Sequence, residues 1–185
     1  MVVESSFSRI ASSSLVSCYR ARFHDCDPNG YVNNSVLMGF LEQSGMDYLS
    51  AGGWPMSRTK LQLESVFVAR RHQIDFHQPA CENDMLLVSA WGVEMSGSKA
   101  AIRFEVRRVT GDPFDPPPTR LVTGPERATP PNSELIASGQ SVYTFTDMVR
   151  RRPIRIPDEI VDAFFLPAPI DGYLTPAVGE TVAAG

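Results

Sequence analysis

Two carboxylates two residues apart, Asp25 and Asp27, stand just before a turn and a helix start. The run is Phe23-His24-Asp25-Cys26-Asp27-Pro28-Asn29-Gly30-Tyr31-Val32-Asn33-Asn34. Pro28 has no N–H and fixes φ, so it stops the strand-like run from Leu15 to Phe23. Asn29-Gly30 is a strong turn signal. Asn33 or Asn34 can cap a helix from Ser35 to Ala51, which Gly52-Gly53 and Pro55 then end. An acidic side chain therefore falls within a few residues of a helix N-terminus, whose unpaired N–H groups carry partial positive charge. A carboxylate base beside an anion-stabilising helix end suits attack on a carbonyl.

The elements around this stretch must hold it. In the helix, Val36, Leu37, Phe40, Leu41, Tyr48 and Leu49 recur at helical spacing with Met38 and Met46 beside them, which predicts a largely buried helix. At 1.5 Å per residue it is roughly 25 Å long, about the width of five strands spaced near 4.8 Å. Trp54 to Thr59 reads as a loop, and Leu61 to Phe67 with Ala69 to His77 as extended chain ended by Pro79. Met85 to Val93 is apolar on both faces, as a central strand is. Ala101 to Val109 alternates, with Ile102, Phe104 and Val106 inward and Arg103, Glu105 and Arg107 outward. Gly111 to Ser133 holds seven of the fifteen prolines, which predicts a long surface insertion, neither helix nor sheet interior. Leu135 to Phe145 is the last long strand, with Ala137, Gly139 and Ser141 making one side small for close packing on the helix. Asp158 can cap a short helix to about Phe165. One strand, a long helix and then strands in succession indicate an α+β fold. The domain spans residues 15–165 with the insertion at 111–133, between a frayed arm at 1–14 and a tail at 166–185.

Composition narrows the function. The chain has 185 residues, 43% hydrophobic and 21% charged, as one globular domain has. A net charge of -4 argues against general nucleic-acid binding. Cys18, Cys26 and Cys81 are odd in number and form no Cys-x-x-Cys, which fits a reducing, cytoplasmic setting without a disulfide framework. No apolar run reaches membrane-spanning length, and the serine-rich start has no secretory pattern. His24, His72 and His77 lack metal-ligand spacing, and Cys26 beside His24 makes no thiol–imidazole dyad.

The stretch Asp25-Cys26-Asp27-Pro28-Asn29-Gly30-Tyr31-Val32-Asn33-Asn34, with Glu42 in the helix after it, resembles the hotdog-fold acyl-CoA thioesterases of the 4-hydroxybenzoyl-CoA thioesterase family. The resemblance implies an antiparallel sheet wrapped around the long helix and hydrolysis of acyl-CoA or acyl-carrier-protein thioesters, with no metal or redox cofactor. It implies that Asp27 is the reacting carboxylate, as nucleophile or general base, since family members differ on this. It puts the oxyanion donor at the Asn34 N–H and an acidic base or water-positioning group near Glu42. It also implies a two-fold homodimer or a dimer of dimers with active sites at the interface. Arg150, Arg151, Arg152 and Arg155 form a basic patch suited to the phosphates of CoA. Two departures bear on acyl specificity, since the family often has an aromatic at the place of Leu37 and commonly His at the place of Tyr31. The long proline-rich insertion is a third. The plainer readings are an Asp27 that only orders its turn, an Asp25 bonded to backbone, a structural Glu42 and a solvated arginine patch. They lead to a different class, a non-catalytic hotdog module for acyl-ligand binding or assembly.

Overall fold

The computed structural model describes residues 13–110, 119–123 and 132–165. In chain order these form β1 (Ser13–Arg20), a 3-10 turn (Phe23–Asp25), α1 (Asn34–Ala51), α2 (Met56–Leu63), β2 (Ser65–Phe76) and β3 (Met85–Ser96). Then come β4 (Lys99–Val109), β5 (Arg120–Thr123), β6 (Glu134–Asp147), β7 (Arg152–Pro153) and α3 (Asp158–Phe165). One sheet of seven strands runs β2-β6-β4-β3-β1-β5, with the short β7 on the end of β6. Every pair is antiparallel. The fold is α+β, an antiparallel sheet packed round one long helix.

The core follows from two periodicities. On α1, Leu37, Leu41, Ser44, Gly45 and Tyr48 make one buried stripe. On the sheet, Leu86, Val88, Ala90, Phe104, Val106, Ile136 and Phe145 face it within a single cluster. Fully burying one such large apolar side chain stabilises by about 1.5–3 kcal/mol, so this stripe fixes how α1 sits. Tyr48 adds a polar constraint where the β1–β3 ladder runs out after the Leu15–Ala90 pair. Its hydroxyl accepts the Gly92 N–H at 3.2 Å and donates to the Ser13 carbonyl at 3.4 Å. α3 closes this end of the core with Ile160, Val161, Phe164 and Phe165. Phe164 lies 5.0 Å from the Tyr48 ring, and a Cβ at Gly52 would come within 2.4 Å of it.

Several sequence expectations are corrected. α1 buries one face only, since Glu42, Gln43 and Met46 are exposed. β1 starts at Ser13 and ends at Arg20, so the arm expected over 1–14 contributes its last two residues to the sheet, and its other residues lie outside those described. The expected loop and extended chain from Trp54 to Leu63 contain α2 instead. Pro55 stands at its N-cap, Arg58 reaches Gln62 one turn on at 2.9 Å, and Glu64 ends it in the left-handed region. Arg58 also lies 4.0 Å over the Trp54 ring. The insertion at 111–133 carries a strand, since Arg120–Thr123, which contains no proline, pairs with β1 at the edge of the sheet. All seven of the insertion's prolines and the tail at 166–185 fall outside the described residues. Gly139 is small because β2 crowds it, not the helix: a Cβ there would meet the Gln73 carbonyl oxygen at 2.4 Å. Asp158 does not cap α3. It is the first helical residue and bonds Arg155 at 2.8 Å, while Pro157 accepts the first N–H groups.

Candidate active site

The chain reverses tightly between Cys26 and Val32, which face each other as an isolated antiparallel bridge. The Asp27 N–H donates to the Tyr31 carbonyl at 2.8 Å, and the Gly30 N–H to the Asp27 carbonyl at 2.9 Å. Gly30 has φ +84° with open space around its Cβ position, so glycine is needed there for its backbone angle alone. The Asp27 side chain fills the reversal. Oδ1 accepts the N–H groups of Asn29 at 2.8 Å and Tyr31 at 3.2 Å, and Oδ2 accepts the Asn29 side-chain amide at 3.3 Å. Partial removal from water pushes the Asp27 carboxyl up, but the N–H groups of Tyr31, Asn29 and Gly30 pull harder, so its pKa lies below the ordinary carboxylate value. Asp25 bonds backbone, accepting the Arg22 N–H at 2.8 Å.

The turn is fixed to the helix and to the far end of β2. The Asn33 N–H donates to the Asp25 carbonyl at 2.8 Å, and the Asn33 side chain caps α1 by accepting the Ser35 N–H at 2.9 Å. Asn33 is thus the cap, and Asn34 is the first helical residue, whose N–H has no acceptor among the described residues. The Val32 N–H donates to the Ala80 carbonyl at 2.8 Å, which ties the segment after β2 onto the turn. Asp27, Asn34 and Leu37 together with Phe76, Gln78 and Pro79 line one open cleft of about 550 Å³.

Glu42 is not in this cleft. It lies eight residues beyond Asn34, about 12 Å along the axis, exposed and facing His72 at 3.7 Å. It borders a separate apolar pocket of about 160 Å³ with Leu49, Trp54, Phe67 and Tyr143. His72 in turn bonds the buried Ser141 hydroxyl at 2.8 Å. The arginine patch sits at the opposite end of the sheet from Asp27. β6 pairs Ala137 with Phe76 beside the cleft and Asp147 with Ser65 at the far end, roughly 30 Å away. Arg150 pairs with Asp147 at 3.6 Å and Arg155 with Asp158 at 2.8 Å, while Arg151 and Arg152 make no ion pair among the described residues. The described residues include no metal-binding group of His, Cys, Asp and Glu, and no helix long and apolar enough to cross a membrane.

The sequence profile of the thioesterase-like superfamily matches residues 21–164, most of the chain and all of this site. The chain belongs to the thioesterase-like superfamily. Solved structures agree on the fold. The chain is similar to 4-hydroxybenzoyl-CoA thioesterase from Pseudomonas at 20% identity, TM-score 0.66, over 82% of this chain and 99% of that one. It is similar to a 1,4-dihydroxy-2-naphthoyl-CoA thioesterase from Synechocystis at 15% identity, TM-score 0.64, over 81% and 94%. A gentisyl-coenzyme A thioesterase matches at 16% identity, TM-score 0.61, over 80% and 98%. A search of curated proteins found no match.

Of the residues singled out in the sequence of this thioesterase-like protein, the structure brings Asp27 and Asn34 into one cleft and leaves Glu42 and the four arginines elsewhere in the single chain. Sequence reasoning missed the wall supplied by Phe76, Gln78 and Pro79. The signal was faint, a polar residue before the proline that ends β2. Only the long-range bond from Val32 to Ala80 gives it meaning.

Proposed function

We propose that the protein is a thioester hydrolase that cleaves acyl-CoA or acyl-carrier-protein thioesters to free acid and thiol. The observation that carries the reading is that the Asp27 carboxylate and the unpaired Asn34 N–H share one open cleft. Asp27 acts as nucleophile or as base for water. The Asn34 N–H meets the carbonyl oxygen as charge develops there, helped by the α1 dipole. A thiol-release assay with purified protein across short-chain, long-chain and aromatic acyl-CoAs tests it. Turnover that falls with Asp27→Asn supports it, and no turnover of any thioester defeats it.

The rest of the reading needs a second copy. β2 is a twelve-residue edge strand, bonded only to β6 among the described residues, and such an edge invites pairing. Antiparallel pairing of β2 with its copy sets the end of one β2 beside the start of the other. That places the Asp27 cleft of one chain near Arg151 and Arg152 of the other, positions that lie at opposite ends of the sheet within one chain. Exposed apolar residues occur at both ends: Phe23, Tyr31 and Phe76 near the cleft, and Leu61, Met148 and Val149 near the patch. The proposal is therefore a homodimer, or a dimer of dimers, in which Arg150, Arg151, Arg152 and Arg155 offer phosphate contacts to CoA across the interface and Glu42 is a supporting carboxylate.

One observation favours a second reading. Three N–H groups already engage Asp27, as they would if it only ordered the turn. In that case the protein is a non-catalytic acyl-binding or assembly module, and the same assay separates the two.

A further inference from the structure

We propose that Gln78 is a further catalytic residue of this cleft, holding the attacking water against Asp27. This rests on the hydrolase reading above and commits it to the general-base route. A carboxylate has about four acceptor places, two on each oxygen. In Asp27 both places on Oδ1 are taken, by Asn29 and Tyr31, and one on Oδ2 by the Asn29 side chain. The Gly30 N–H lies near the carboxylate but bonds the Asp27 main-chain carbonyl at 2.9 Å, so one place is left, on Oδ2. A water held there by a single bond can swing freely, so a second partner is needed to aim its lone pair at the thioester carbon.

Gln78 is placed to be that partner. Ile74 and Phe76 lie on one side of β2, and Ile74 packs against the core under α1. Gln78 lies two residues past Phe76, just beyond the strand, and both line the cleft that holds Asp27. Its main chain is fixed: the N–H groups of His77 and Gln78 both donate to the Ile136 carbonyl, at 2.8 and 3.3 Å. Pro79 restricts φ on its other side, and the Ala80 carbonyl is tied to Val32 beside the Asp27 turn. The Gln78 carboxamide bonds no described residue and lines the cleft that Asp27 and Asn34 share. An amide offers both an acceptor and donors without adding charge next to a carboxylate.

In the step itself, one water proton goes to Asp27 Oδ2 and the other is held by Gln78 Oε1. The water oxygen bonds to the thioester carbon, and the Asn34 N–H receives the oxyanion. Collapse breaks the C–S bond, expels the thiolate and leaves the free acid. The proton on Asp27 passes to solvent or to the thiolate.

The test compares Gln78→Leu with Gln78→Glu, using Asp27→Asn as reference. Gln78 is exposed, so neither change disturbs the core. Gln78→Leu loses the acceptor, and kcat should fall by roughly 10–100-fold with KM nearly unchanged, the usual size of a positioning effect. Gln78→Glu keeps an acceptor at the same length and should retain kcat within a few-fold at neutral pH. Its acid limb should move to higher pH, because a second carboxylate raises the pKa of Asp27. A merely structural Gln78 would produce neither the rescue nor the displaced limb. Equal loss in both variants overturns the proposal. So does unchanged kcat in Gln78→Leu when Asp27→Asn is impaired, and the hydrolase reading then stands alone. If Asp27→Asn is also unimpaired, the Asp27 and Gln78 roles both fall and only the hydrolysis itself remains.

Discussion

At the scale of single residues, the proposed hydrolysis turns on Asp27, whose environment sets a pH signature for it. Asp27→Asn keeps the shape of the turn but removes the negative charge. The expected result is a kcat lower by roughly 10²–10⁴-fold with the fold intact, checked by steady-state thiol release and circular dichroism. The wild-type acid limb follows from the direction of the pKa shift. In the proposed mechanism the ionised form is the working form, and the turn donors, outweighing partial removal from water, hold its pKa below the ordinary carboxylate value. Activity should therefore persist as pH falls through the usual carboxylate range and be lost only below it. The same depression contributes folding stability above the unfolded-state pKa, lost as pH falls through the folded one. A limb in kcat/KM centred near pH 5 or higher would contradict the assignment. Asn34 allows a cleaner separation. Asn34→Pro deletes the main-chain donor and should lower kcat by about 10²–10³-fold, while Asn34→Ala keeps the N–H and should be mild. The sequence was legible here because Asp27, Gly30 and Asn33 are local in sequence and each carries its own backbone signal. Gln78 was not, because its relevance depends on a bond between positions 32 and 80, which no local pattern encodes.

At the scale of elements, the turn couples geometry to electrostatics. Gly30 sits at φ +84°, where a residue with a Cβ costs about 1–2 kcal/mol. Gly30→Ala should lower Tm by a few degrees. If the strained turn relaxes and loosens its donors, the acid limb of activity should also move up toward the ordinary carboxylate range. A Tm loss with an unmoved limb would show that the donors do not depend on the turn. α3 is tested by Gly52→Ala, since a Cβ there meets the Phe164 ring at 2.4 Å. Overpacking of this kind costs about 1–3 kcal/mol, read as a lower Tm with the Asp27 cleft unaffected at the other end of α1. Strand existence and faces were largely readable. β4 alternates as written, and β3 is central as its two apolar faces predict. α2 was misread because Leu61, Leu63 and Phe67 mimic an extended run, whereas the Pro55 start and the Arg58–Gln62 pair support a helix turn. β5 was hidden by the prolines around it: four residues suffice to pair with an edge that β1 would otherwise expose.

At the scale of the whole molecule, the single chain separates what the proposed chemistry must combine. The proposed base and oxyanion donor lie at one end of the sheet, while Arg151 and Arg152 lie at the other. A two-fold pairing of β2 edges resolves this and should appear in light scattering as a species of at least twice 20.4 kDa at micromolar concentration. Mixing two damaged chains tests the arrangement more sharply. Chains carrying Asp27→Asn should have low kcat. Chains carrying Arg151→Ala with Arg152→Ala should have raised KM for acyl-CoA and nearly unchanged kcat. If the arginines serve the partner's cleft, a mixed dimer contains one site with both defects and one with neither. Unfolding and refolding the two variants together should then recover a fraction of activity with wild-type KM that neither variant shows alone. If the arginines serve their own chain's cleft, every site in the mixture keeps one defect and KM stays high. The second outcome would remove the trans arrangement while leaving the proposed Asp27 chemistry untouched, because the turn, the helix end and Gln78 on which it draws all line one cleft within a single chain.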